Sequence, residues 1–240
     1  MKKFITIILI VVIAGAILSW AMALSNKKDK EAKEKMTTSR VTALGDSLTY
    51  GLNDRPEGGY AGDLQKVLSK KHKGIVKVSN FGIPDQQTDG LLHQLKYGKA
   101  RKSLSNADYI IMFIGTNDLI ESNGGNLSEI HQAKIDQGKK DYLNNLDNIF
   151  KIIRDKNPDA PILFLGLYNP YPDSQKIQSV VDEWNDTSRS FTDKYPNVKF
   201  IATDGILKEK SAQYFSDSLH PNKKGYDLIA KRILKEYNFK

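Results

Sequence analysis

The chain has 240 residues, with 36 Lys/Arg against 28 Asp/Glu for a net charge of +8, and it contains no cysteine. That absence excludes disulfides, thiol nucleophiles and zinc–thiolate sites. Residues 1–40 hold eight Lys/Arg against three Asp/Glu, a net +5, leaving +3 for residues 41–240, so the excess is not the basic stripe of a nucleic-acid binder.

The first predicted element is apolar throughout: Phe4 to Leu24 are 21 residues without a charge. At ~1.5 Å per residue that is about enough helix to cross a ~30 Å hydrocarbon layer. Lys2 and Lys3 before it, and Ala21-Met22-Ala23 near its end, resemble the flanks of an export signal. Residues 1–24 therefore read as a transmembrane anchor or a signal peptide cleaved near Ala23, and a run longer than the ~7–15 residues of a signal core points to the anchor. Residues 25–39, with "KKDKEAKEK", have the mixed charge of a flexible tether. Five lysines beyond the span against two before it would put the domain inside on the positive-inside count, but the signal-like start argues for export. The expectation is a membrane-attached chain with its domain outside the cytoplasm.

Residues 40–240 are expected to form one domain. Short, near-continuous apolar runs at 41–46, 75–79, 109–114, 161–167 and 198–202 predict five buried strands. Helical periodicity separates them: Leu64, Val67 and Leu68; Leu91, Leu92 and Leu95; Leu143 to Ile153; Ile177 to Phe191; and Tyr226 to Tyr237. Such alternation predicts an α/β fold, a parallel sheet covered on both faces with ligand sites at the strands' carboxyl ends. The polar stretch 121–141 predicts a solvated loop leading into a helix.

Small and polar residues follow the first three predicted strands: Gly45-Asp46-Ser47, Asn80-Phe81-Gly82 and Gly115-Thr116-Asn117-Asp118. Near the end comes "DSLHPN", with Asp217 three residues before His220 and Asn222 placed to cap the last helix. These are the parts that acyl transfer needs. A serine hydroxyl attacks only when a base takes its proton, and histidine suits that work at neutral pH, which pairs Ser47 with His220. Asp217, one helical turn earlier, can hold the second imidazole nitrogen. The oxyanion of a tetrahedral intermediate needs donors, for which the candidates are the Gly82 N–H, the Asn117 amide and the N–H of Ser47. Asp46, Asp118 and Asn80 read as structural, bonding loop amides. Tyr168, Asn169 and Tyr171, after the fourth strand, are candidates for lining a substrate cleft. His72, His93 and His131 read as surface residues.

In order and spacing, "GDSL" at 45–48, "NFG" at 80–82, "GTND" at 115–118 and "DSLHP" at 217–221 resemble the four blocks of the SGNH or GDSL hydrolases, a family of serine esterases, lipases and thioesterases. The resemblance runs from about residue 41 to 235 and is strongest to membrane-tethered, lysophospholipase L1-like esterases. It implies a flavodoxin-like three-layer α/β/α sandwich on a five-stranded parallel sheet. It also implies a Ser47–His220–Asp217 triad, an oxyanion hole of Ser47, Gly82 and Asn117, and no cofactor or metal. One position departs: the family's second block often reads N-x-G-x-x-G, and Asp85 stands where the second glycine belongs.

The expected substrates are lipid or lysophospholipid-like esters or small acyl esters, with O-acetylated cell-wall carbohydrate as the alternative. An α/β-hydrolase elbow, G-x-S-x-G, fits poorly because Thr49 occupies its last glycine. A phosphoesterase using Asp46, Asn117, Asp217 and His220 around a hard cation is a second rival. A tethered binding module without turnover is the non-enzymatic one.

Overall fold

The computed structural model describes residues 19–25, 38–71, 75–207 and 213–239. The apolar run 4–24 lies outside them except for 19–24, part of an exposed helical stretch at 19–25 (α1). Among the described residues no helix is long and apolar enough to cross a membrane. Most of the tether is likewise outside.

The domain is built from strands β1 (Thr38–Gly45), β2 (Ile75–Gly82), β3 (Tyr109–Phe113), β4 (Ile162–Leu165) and β5 (Val198–Ile201). They form one sheet in the order β2-β1-β3-β4-β5, parallel at every pairing, as expected from the alternation of strands and helices. Helices α2 (Ser47–Tyr50), α3 (Gly59–Lys71), α4 (Thr88–Tyr97), α5 (Ala100–Leu104), α6 (Thr116–Asn123), α7 (Gln132–Lys156), α8 (Gln175–Thr192) and α9 (Lys223–Glu236) connect and cover it.

Successive strand side chains point to opposite faces, so each central strand feeds two cores. Leu44, Ile110, Met112, Ile162 and Phe164 pack with Leu91, Leu146, Phe150 and Trp184 of α4, α7 and α8. Their neighbours Ala43, Ile111, Phe113, Leu163 and Leu165 pack with Tyr60, Leu64, Tyr226 and Ile229 of α3 and α9. This is the three-layer sandwich. Burial on both faces explains why these strands read as continuous apolar runs.

Two boundaries differ from expectation. Strand β1 begins at Thr38, paired with Ile75, so residues 38 and 39 belong to the sheet and not to the tether. Strand β2 continues through Asn80 and Phe81 to Gly82, which pairs with Gly45. Those residues were expected in a loop, but β1 offers backbone partners up to its last residue, and β2 is an edge strand whose outer face tolerates an asparagine. Parallel pairing brings all strand carboxyl ends, with the motifs that follow them, to one rim.

Candidate active site

The turn from β1 into α2 is made by three residues. Gly45 has φ +155°, and a β-carbon there would lie 2.1 Å from the Phe113 carbonyl oxygen, so neither the conformation nor the space admits a side chain. Asp46 caps α2, its Oδ1 accepting from the Leu48 N–H at 2.9 Å. Gly51, left-handed at φ 80°, closes the helix by donating to the Ser47 carbonyl. Ser47 is thereby held at the start of α2, 4% exposed.

His220 reaches it from the far end of the chain. Its Nε2 lies 2.9 Å from Ser47 Oγ, and its Nδ1 lies 2.9 Å from Asp217 Oδ2 and 3.1 Å from Oδ1. A carboxylate only accepts, so the ring proton sits on Nδ1 and Nε2 accepts from the serine hydroxyl. Sequence spacing suggested that Asp217 and His220 share a helical face. They instead occupy an irregular loop, in which Asp217 Oδ1 accepts the N–H groups of Leu219 (2.8 Å) and His220 (2.7 Å). Serine and aspartate side chains that bond nearby amides favour such turns over helix. The loop's ends are pinned by Ser216 N–H to His220 O and Asn222 N–H to Tyr214 O, and Asn222 caps α9 as expected.

Partial burial pushes the Asp217 carboxyl up, but the two loop amides, the His220 ring and the Asn53 side chain outweigh it and hold the group down at about 2. It is a carboxylate throughout the neutral range. Asp46 and Asp118 are the reverse. Burial dominates both and raises Asp46 to about 7 and Asp118 to about 6, against the hydrogen bonds from Leu48 and Thr88 respectively. One oxygen of Asp46, Oδ2, is buried without a partner among the described residues. Both acids bond loop amides, as the sequence suggested.

The oxyanion candidates are brought to the same rim in different states of readiness. Gly82 packs directly under α2, where a β-carbon would meet the Tyr50 nitrogen at 2.2 Å. Its N–H already donates to Asn80 Oδ1 at 2.9 Å, while Asn80 Nδ2 donates to the Thr49 carbonyl. Asn117 donates one amide hydrogen to Gln86 O at 3.1 Å, and the other has no partner among the described residues. Asp118 accepts from the Thr88 N–H at 3.1 Å and from its hydroxyl, locking the loop after β2 to α6. Asp85 in that loop has φ +59°, which accounts for the glycine that the family often places there.

The three cleft candidates separate. Tyr168 is buried between Phe113 and Phe215 and its hydroxyl donates to Leu219 O at 2.6 Å. Asn169 is buried too, bonding the Tyr171 N–H and Gln178. Neither lines an open surface. An aromatic after a parallel strand has two environments to choose from, and here the residues around the His220 loop supply the buried one. Only Tyr171 is exposed. A groove of about 520 Å³ lies between the loop 124–131 and the first turns of α8, walled by Leu127, Ile130, Ile177 and Val180, with no catalytic candidate in its wall. The loop itself is organised by buried Asn123, which bonds Asn126 O, Glu129 O and the His131 N–H. His93 is exposed, its ring tilted 53° against that of Tyr97, His131 is half-buried, and His72 lies outside the described residues. Sequence reasoning missed Asn53 and the hydroxyl of Tyr168, while Asn80 bonds a loop amide as expected.

The metal-ligand set Asp46, Asn117, Asp217 and His220 is not assembled around a common point. Asp46 caps a buried helix start, Asn117 donates to Gln86, and both His220 nitrogens are engaged by Ser47 and Asp217.

Comparison with known proteins bears on the same residues. The sequence pattern of the GDSL-like lipase/acylhydrolase family matches residues 43–228. The uncharacterized protein YpmR of Bacillus subtilis is 29% identical over 236 residues, covering 92% of each chain. The spore germination lipase LipC of Bacillus licheniformis is 25% identical, over 82% of this chain and 95% of its own. Among solved structures, the lipase Lip_vut3 from a goat rumen metagenome superposes with a TM-score of 0.70 at 23% identity, covering 82% of this chain and 96% of the other.

Proposed function

The chain belongs to the GDSL-like lipase/acylhydrolase family and is a carboxylic ester hydrolase, and we propose that Ser47 is its nucleophile, His220 its general base and Asp217 the carboxylate that orients the base. The observation that carries this reading is the continuous relay from Ser47 Oγ through the imidazole to Asp217, 2.9 Å at each step. In the first step Ser47 Oγ bonds to the ester carbonyl carbon as its proton passes to Nε2. The tetrahedral intermediate expels the alcohol, which takes that proton from Nε2. Water, deprotonated by the same nitrogen, then releases the acid and frees Ser47.

The Ser47 N–H and the spare Asn117 N–H face the developing oxyanion in this reading. The Gly82 N–H joins them once the substrate oxygen displaces Asn80 Oδ1. Ile83, 43% exposed directly after Gly82, and exposed Tyr171 offer apolar surface at the rim, which favours lipid or lysophospholipid-like esters. In the same reading the run 4–24 anchors the chain in the cell membrane with the domain outside.

The test is a fluorophosphonate probe with an ester series. The probe should label the wild type and not Ser47→Ala, and the variant should lose hydrolysis. Undiminished turnover by Ser47→Ala would overturn the assignment. Rates on p-nitrophenyl esters of increasing chain length should rise beyond acetate. A preference for an acetylated sugar assayed alongside would favour the carbohydrate alternative instead.

A further inference from the structure

We propose that Asn53 is a positioning residue for the hydrolytic reaction, fixing the Asp217 carboxylate that orients His220. The proposal rests on the roles given above to Ser47, His220 and Asp217.

Asn53 Nδ2 donates to Asp217 Oδ2 at 2.9 Å, the same oxygen that accepts the His220 ring N–H at 2.9 Å. The other oxygen is satisfied by the amides of Leu219 and His220, which belong to the aspartate's own turn and move with it. Asn53 differs because it comes from 164 residues earlier. Among the described residues it is the only side chain besides His220 that bonds to Asp217, and it ties the loop to a separate part of the fold. The Asp217 side chain is 45% exposed, so without this donor water takes its place and the carboxylate is free to swing away from the imidazole.

The backbone of Asn53 supports the same reading. It has φ +67°, a left-handed conformation that glycine adopts freely and that asparagine tolerates better than most residues. A turn requirement alone would be met by glycine; the amide gives a reason for asparagine. The turn is fixed from three directions: Leu52 N–H donates to Ser47 O at 3.0 Å, Tyr226 Oη donates to Leu52 O at 2.9 Å, and Asp54 N–H donates to Gly51 O at 2.9 Å. One end of this turn is thus bonded to the carbonyl of Ser47 and its tip to Asp217. It sets the spacing between the two halves of the site.

Two variants separate positioning from turn-making. Asn53→Gly keeps the left-handed turn and loses the donor. Asn53→Asp keeps the shape and turns an acceptor toward Asp217. With p-nitrophenyl acetate, both should lose about tenfold or more in kcat with KM changed less than about twofold. The melting temperature of Asn53→Gly should fall by only about 2–4 °C, since one hydrogen bond is lost while glycine keeps the turn. The downfield proton resonance of His220 Nδ1–H should shift or broaden in both. Wild-type kcat in Asn53→Gly, or an unaltered Nδ1–H resonance, would overturn the proposal. That resonance reads the Asp217–His220 bond without turnover, so it judges Asn53 separately from the Ser47→Ala result that judges the serine reading.

Discussion

The Tyr168 hydroxyl donates to the Leu219 carbonyl at 2.6 Å, so the segment after β4 holds the residue that precedes His220. Tyr168→Phe should fit the space between Phe113 and Phe215 while leaving that carbonyl without its partner. A net loss of about 1 kcal/mol is expected, seen as a fall in melting temperature of about 2–4 °C. Because the freed loop carries His220, the proposed base, kcat should fall several-fold as well. Calorimetry and steady-state kinetics read the two effects, and a variant with unchanged kcat would show that the Asp217 turn holds the loop unaided.

Asn117 offers a sharper loss. In the proposed reading its second amide hydrogen serves the oxyanion, whereas the Gly82 N–H is engaged by Asn80. Asn117→Ala should lower kcat by about 100- to 1,000-fold, or about 2.7–4 kcal/mol of barrier, with little change in KM. A near-normal rate would remove Asn117 from the oxyanion hole.

Buried Asp46 and Asp118 should make the fold less stable as pH rises. Both carboxyls are raised in the folded protein, Asp46 to about 7 and Asp118 to about 6, above their ordinary value of 3.8. Between about pH 4 and 7 the folded state therefore binds more protons than the unfolded chain, and this contribution to stability falls as protons are lost. Asp46→Asn keeps an acceptor for the Leu48 N–H and removes the buried charge. It should flatten the decline over that window and be more stable than wild type at pH 8 in urea titrations. An identical pH dependence in the variant would contradict this.

Asp217 acts in the opposite direction. Its carboxyl is held at about 2, below the ordinary 3.8, so its stabilising contribution is complete above about pH 4 and is lost as pH falls toward 2. Asp217→Asn should lack that acid-side loss while failing in turnover at neutral pH. Parallel acid titrations of variant and wild type compare the two.

Activity should survive EDTA. Both nitrogens of His220 are engaged, by Ser47 and by Asp217, so in the proposed relay neither is open to a cation. Inactivation by chelator, reversed by a divalent ion, would restore the phosphoesterase reading.

The layered fold was legible because its strands are buried on both faces, which makes them continuous apolar runs, and because the helices carry clean periodicity. That Ser47, His220 and Asp217 would lie together was legible from residue type and motif, and their contacts are present. The predicted helical face for Asp217 and His220 was not, since three-residue spacing is shared by helices and by turns that bond their own amides. Asn53 was hidden because an asparagine after a short helix carries no mark of what its amide meets 164 residues later. Tyr168 read as a cleft residue because burial of a loop aromatic depends on what the distant His220 loop packs against it. The engagement of Gly82 by Asn80 depends on β2 continuing further than its apolar residues suggested.

The relay joins residues 173 positions apart, one beside the first strand and one just ahead of the final helix. A ribosome releasing this chain amino end first finishes the hydroxyl long before its base exists. In the proposed reading, an incomplete product that ends before His220 lacks the base and is silent toward esters, and hydrolysis waits for the loop that leads into α9.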